Sequence, residues 1–288
     1  MSVRFAYNTN GVSHHRFEDA LRLIADSGYE GVALTLDHHH FDPFAPQLER
    51  RTEVLAGLLE RLGLGLVVET GVRFLLDPRL KHEPTLITPS AEGRARRLDF
   101  LRRAVDICAT CRGEAVSFWA GVPRPGVDAE TAWTWLVEGV ARLSDHAASR
   151  GVVAAVEPEP GMRVETVEDW LRLREAVARL GAAPIRLALD VGHLMVTQER
   201  VPEDAVREFA PALGTLALED MKRGVHEHLP FGEGDMDVGA VLQALVDISY
   251  DRLVCVELSR DAHRAHTLVP QALEWLKAHL PSRAEISP

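Results

Sequence analysis

Residues 152–160 read VVAAVEPEP: five apolar residues, Val152 to Val156, closing on Glu157, with a second carboxylate at Glu159 between two prolines. A strand with one solvated face alternates polar and apolar residues. An unbroken apolar run this short suits a strand covered on both faces, as in a parallel sheet flanked by helices. The same design recurs in residues 185–193, IRLALDVGH, which close on Asp190, and in residues 252–260, RLVCVELSR, which close on Glu257.

Five further apolar runs complete the series: Val3 to Tyr7, Gly31 to Leu36, Leu64 to Glu69, Ala115 to Trp119 and Leu213 to Leu218. Between the runs lie segments of helical period: Phe17 to Ser27, Gln47 to Leu62, Ala91 to Thr110, Ala129 to Arg150, Val167 to Leu180, Asp204 to Phe209, Val238 to Asp247 and Ala265 to His279. Gly28, Gly63, Gly113, Gly151 and Gly181 fall just past helices, where a left-handed residue is wanted. Thr166 with Asp169, and Pro202 with Glu203, read as helix starts. Strand-then-helix units repeated eight times predict an α/β fold, a single (β/α)8 TIM barrel, with an open doubly wound sheet as the alternative. No low-complexity linker divides the chain, so residues 1–288 are expected to form one domain.

The chain has 288 residues, 46% hydrophobic and 26% charged, enough for a large core. A formal charge of -11 weighs against a nucleic-acid or membrane-surface partner, which would repel it at long range, and favours a small ligand or a metal. No signal-like start and no apolar run near ~18 residues is present, so a cytoplasmic location is expected. Cys108 and Cys111 form a CxxC at a helix end without a second pair, and Cys255 lies in an apolar run; buried thiols are the simpler reading of all three.

In a barrel the site lies where strands end. Those ends carry Asn8 and Asn10; Asp37 and His38 to His40; Glu69; Trp119; Glu157 and Glu159; Asp190 and His193; Glu219 and Asp220; and Glu257 with Arg260, whereas the opposite ends carry mainly glycine and small residues. Glu157, Asp190 and Glu257 each follow a run of apolar residues and would be partly desolvated. Three such carboxylates converging repel one another unless a cation joins them. A divalent metal, Mn, Mg, Co or Zn, resolves the conflict, although each carboxylate taken singly has an alternative as a helix cap. Trp119 and Phe118 offer an apolar face to a ligand or simply fill the core. The long segment 70–89 has the length of a lid or binding loop and carries Arg73, Arg79 and Lys81, which could take a phosphate.

Residues 216–237, LALEDMKRGVHEHLPFGEGDMD, collect Glu219, Asp220, Arg223, His226, Glu227, His228, Glu233 and Asp235. The turn at Gly232-Glu233-Gly234 is of the kind that aims side chains at a common point.

The order strand-Glu-Pro, Leu-Asp-Val-Gly-His, strand-Glu-Asp with Arg, Gly-Glu-Gly-Asp and strand-Glu resembles the xylose isomerase-like TIM barrels, which include sugar isomerases, epimerases and dehydratases and the endonuclease IV type. The resemblance implies Glu157 and Glu257 as metal ligands that also form the acid/base pair, Asp190 as a ligand, and His193 and Arg223 as substrate contacts. One position departs: the family's strand-seven histidine ligand is Ala217 here. His228, at the spacing from Gly232 that binds metal in the endonuclease branch, is the expected replacement and His226 its rival. The expected activity is a metal-dependent isomerase or epimerase of a keto-sugar or inosose-like polyol, working by proton transfer through an enediolate. Its substrate would be a small carbohydrate-like molecule contacted by Glu69, Trp119, His193, Arg223 and His226. Alternatives are a dehydratase or lyase, an endonuclease IV-like phosphodiesterase, and a barrel that binds without catalysis. The family often pairs, so a homodimer is possible.

Overall fold

The computed structural model describes residues 3–281. Its strands are β1 (Arg4–Asn8), β2 (Gly31–Thr35), β3 (Gly65–Glu69), β4 (Ala115–Trp119), β5 (Val153–Glu157), β6 (Arg186–Asp190), β7 (Leu213–Leu218) and β8 (Leu253–Val256). They pair in sequence order, every neighbour parallel, and β8 returns to β1 to close the barrel. The doubly wound alternative is thereby excluded. The helices are α1 (Phe17–Asp26), α2 (Leu48–Leu62), α3 (Ala91–Thr110), α4 (Ala129–Ser149), α5 (Val167–Arg179), α6 (Val191–Thr197), α7 (Pro202–Glu208), α8 (Val238–Asp247) and α9 (Ala265–His279). No helix among the described residues is long and apolar enough to cross a membrane.

The main core lies between the barrel and its helices, and a second, smaller cluster fills the barrel interior with Ala6, Ala33, Val67, Leu253 and Cys255. Eight strands leave room inside for small side chains only. Leu253 fits because Gly31 and Gly65 lack a Cβ, which would stand 2.5 Å and 3.1 Å from its Cδ1. Glu114 braces the lower end, accepting from Arg4 Nη2 at 2.6 Å and from the Leu253 N–H at 2.9 Å. That end is therefore not only glycine and small residues, because an ion pair crosses it.

The helix starts read from sequence are present. Thr166 and Asp169 form a reciprocal capping box, and Pro202 opens α7 in its first turn. Two expectations need correction. Gly113 has no left-handed backbone. Arg112 takes that conformation (φ 53°), and a Cβ at Gly113 would stand 2.7 Å from Cys108 Sγ, so the glycine serves close packing. The other is α6, which has no counterpart among the periodic segments. It is seven residues long and follows β6 with no intervening loop, because Asp190 ends the strand and caps the helix at once. Cys108 and Cys255 are buried thiols, pushed up to about 12 by burial, whereas Cys111 is only half-buried and rises to about 11.

Candidate active site

The upper mouth of the barrel opens into a cavity of about 540 Å³ whose wall includes Glu69, Trp119, Glu157, Glu159, Asp190, His193, His226, His228 and Glu257. Each strand-end carboxylate arrives there because its apolar run stays in the barrel while the next inward residue emerges into the mouth. Alternation also separates Trp119, which lines the cavity over the Arg97 guanidinium at 4.3 Å, from Phe118, which turns outward into the core. Arg73, Lys81 and His82 of segment 70–89 also reach the wall, and Arg79 does not.

Asp190 divides its two oxygens. Oδ1 accepts from the backbone N–H groups of Gly192 (2.8 Å) and His193 (3.2 Å), capping α6, while Oδ2 is buried with no hydrogen-bond partner in the protein. His193 donates from Nδ1 to the Pro158 carbonyl at 3.0 Å and turns Nε2 toward Asp190 Oδ2 at 3.4 Å. His226 and His228 gather beside it, with ring centroids 4.8 Å and 6.2 Å from that of His193. Glu157 Oε2 accepts from Ser117 Oγ at 3.2 Å, and Glu257 Oε1 from Asn10 Nδ2 at 2.8 Å.

The carboxylates crowd one another. Burial, then the charges of Glu159, Asp190 and Glu257, push the Glu157 carboxyl well above the usual carboxylate range. Burial and Glu257 raise Glu69 to about 7. Burial lifts Glu159 against the pull of His193. Burial and Asp190 push Glu219 well up. Burial acts upward on Asp190 too, but His193 and His228 outweigh it and hold that carboxyl down at about 2. Burial lowers His226 to about 4, so it stays neutral; His228 rises despite burial because Glu219 stands beside it.

Three overlapping groups of donor atoms lie close enough to share an ion: Glu157 with Asp190 and His193, Asp190 with Glu219 and His228, and His193 with His226 and His228. Four orphaned buried atoms sit in the middle group, namely Asp190 Oδ2, both Glu219 oxygens and His228 Nδ1. Carboxylate oxygens with imidazole nitrogens fit the divalent cation expected from sequence. Glu157, Asp190, Glu257 and His228 all line the cavity, but they do not form one group of donors. Each histidine reaches a carboxylate, His228 Nδ1 at 3.8 Å from Glu219 Oε1 and His226 Nε2 at 3.9 Å from Glu159 Oε1.

Arg223 is exposed and outside the cavity wall; its backbone N–H is tied to Asp235, and Arg260 lines the wall instead. His38 to His40 also lie outside the cavity: His38 pairs with Asp37 at 2.7 Å and His40 is buried against Phe17. Two neighbours in residues 216–237 have roles their sequence spacing did not assign. Asp220 accepts from the N–H groups of Met221, Gly232, Gly234 and Met236, at 2.8 to 3.2 Å, and so ties the glycine turn to the end of β7. Glu219, fully buried, faces Asp190 and His228.

No curated protein matches this chain by sequence. Among solved structures, an L-ribulose 3-epimerase is similar with a TM-score of 0.77 and 18% identity, covering 96% of this chain and 94% of its own. A D-allulose 3-epimerase from Methylomonas sp., in complex with D-allulose, gives 0.74 and 18% over 96% and 97%. A probable 3-DHS dehydratase, AsbF of Bacillus anthracis, gives 0.75 and 16% over 96% and 99%. At such identities the likeness establishes the fold alone. The family model for xylose isomerase-like TIM barrels matches residues 21–279, nearly the whole chain, and with the closed barrel it places the protein: this chain belongs to the xylose isomerase-like TIM barrel family.

Proposed function

We propose that this chain is a divalent-metal-dependent isomerase or epimerase of a keto-sugar or inosose-like polyol. The observation that carries the reading is the pair Glu157 and Glu257, which line one cavity from β5 and the end of β8, three strands apart around the barrel. Carboxylates so placed can address one carbon from two sides. One removes the proton next to a carbonyl and the other returns it, on the same carbon for an epimerase or on its neighbour for an isomerase. Burial, then the neighbouring carboxylates, raise the proton affinity of Glu157, which supports its role as a base.

Asp190 and His228, with Glu157 and Glu257 at the cavity wall, are the residues that would hold the cation. Bound there, a divalent ion would supply Lewis-acid polarisation of a substrate carbonyl. Trp119 gives a flat apolar face for a ring, and His193 and His226 supply hydrogen bonds to hydroxyls. The solved structures of similar fold include sugar epimerases, which accords with a carbohydrate substrate.

The test is product analysis of a keto-sugar panel by chromatography and NMR, with and without Mn²⁺. An epimer or aldose product that requires the ion is expected, and Glu157→Gln should lower kcat by ~10²-fold or more. A product with a new carbon–carbon double bond would reassign the chain to a dehydratase, and no turnover of any substrate with metal bound would overturn the enzyme reading.

A further inference from the structure

We propose that Glu219 is a ligand of the divalent cation in this chain, acting with Asp190 and His228. The inference rests on the metal reading above and adds a residue to it. Glu219 leaves β7 two positions beyond Ala217, on the same face of the strand, and Ala217 has no donor to offer. A cavity of about 20 Å³ lined by Ala188, Thr215, Ala217 and Cys255 lies under the carboxylates, where that short side chain stops.

Glu219 has no accessible surface and neither oxygen has a hydrogen-bond partner in the protein. A buried carboxylate without donors is costly unless a proton or a cation joins it. Its neighbour Asp220 shows how the same strand end satisfies a buried carboxylate, with four backbone N–H groups on its oxygens. Around Glu219 the orphaned atoms are instead ligand atoms, Asp190 Oδ2 and His228 Nδ1, and the three residues can each bring one atom within 4.8 Å of the others.

The carboxylate also occupies a shaped cradle. Gly192, in the first turn of α6, lies under it, and a Cβ there would stand 2.0 Å from Glu219 Oε1. Any other residue at 192 would drive the carboxylate from its place. The same glycine donates its N–H to Asp190 Oδ1, so one position holds the first carboxylate and makes room for the second.

Calorimetric titration of metal-free protein with Mn²⁺ decides the matter. Glu219→Gln and Gly192→Ala are each expected to weaken Mn²⁺ binding by at least ~10-fold. A second readout, thermal unfolding in chelator, should show the Glu219→Gln protein folded and close to the wild type in stability, because the relief of burial and of repulsion from Asp190 offsets the lost pairing with His228. Wild-type affinity retained in Glu219→Gln would overturn the proposal while leaving the metal reading standing, and would mean that Glu219 is held by a proton. A wild-type protein that binds no divalent ion would sink both. If Glu219→Gln melts far below the wild type in chelator, the residue is a structural support and the proposal fails.

Discussion

Replacing Asp220 with alanine should be among the most damaging single changes outside the barrel core. Its carboxylate, 1% exposed, receives N–H groups from Gly232 and Gly234 at 2.9 Å and from Met236 at 3.2 Å, besides the adjacent Met221 at 2.8 Å. Each hydrogen bond to a charged group contributes roughly 1.5–3 kcal/mol. Three distant donors lose their acceptor together. Water entry and loop relaxation return part of that, which leaves a loss of about 3–5 kcal/mol, or roughly 5–8 °C in melting temperature. Asp220→Asn keeps the shape and one acceptor oxygen, and should lose about half as much, since its amide NH2 faces two N–H donors. Urea denaturation of both variants measures the stability. Hydrogen exchange should show the effect concentrated in residues 222–236, the segment that carries His226 and His228, with activity falling alongside. A loss below about 1 kcal/mol for Asp220→Ala, or unchanged exchange in that segment, would refute the clamp and the view that it aims the histidines.

Divalent metal should stabilise the folded protein: at ~100 times its dissociation constant the gain is about 2.7 kcal/mol, hence a rise of roughly 4–5 °C in melting temperature that chelator reverses. His40 provides a pH signature. Burial lowers its proton affinity from 6.5 to about 4, so between those values the unfolded chain takes up a proton that the folded chain refuses. Stability should therefore fall as pH drops from about 6.5 to 4, by on the order of 3 kcal/mol at most, and level off below. The slope should be shallower in His40→Gln, as urea midpoints across that range will show. Trp119→Leu keeps an apolar wall but loses the ring face over Arg97, and should raise KM by about 3–10-fold with little change in kcat, a difference of roughly 1 kcal/mol in steady-state assays.

The eight strands are legible because each is a run of apolar residues buried on both faces, a pattern that helices and loops do not share. The carboxylates Glu157, Asp190 and Glu257 are legible for a related reason: a charge placed directly after such a run has nowhere to lie except the barrel mouth. α6 was hidden because one residue, Asp190, does the work of both strand end and helix cap, leaving no polar gap to mark the start. Glu219 and Asp220 stand next to each other in the same motif and look equivalent. They differ only through contacts distant in sequence, Gly192 beneath one and the glycine turn folded onto the other. Nothing local marks His40 as buried and His38 as exposed. Arg223 was read from a motif, but the local backbone, with Gly224 at φ 70° and its N–H on the Met195 carbonyl, carries the side chain to solvent.

The central claim is proton transfer at a carbon beside a carbonyl by Glu157 and Glu257. It is tested most directly by incubating the Mn²⁺-loaded protein with keto-sugars in D2O and following solvent deuterium into the substrate pool by NMR. The account predicts deuterium at one carbon of one substrate class, dependent on the ion and lost in both Glu157→Gln and Glu257→Gln. Exchange that persists undiminished in both variants, or no exchange into any keto-sugar by protein that binds the ion, would contradict it.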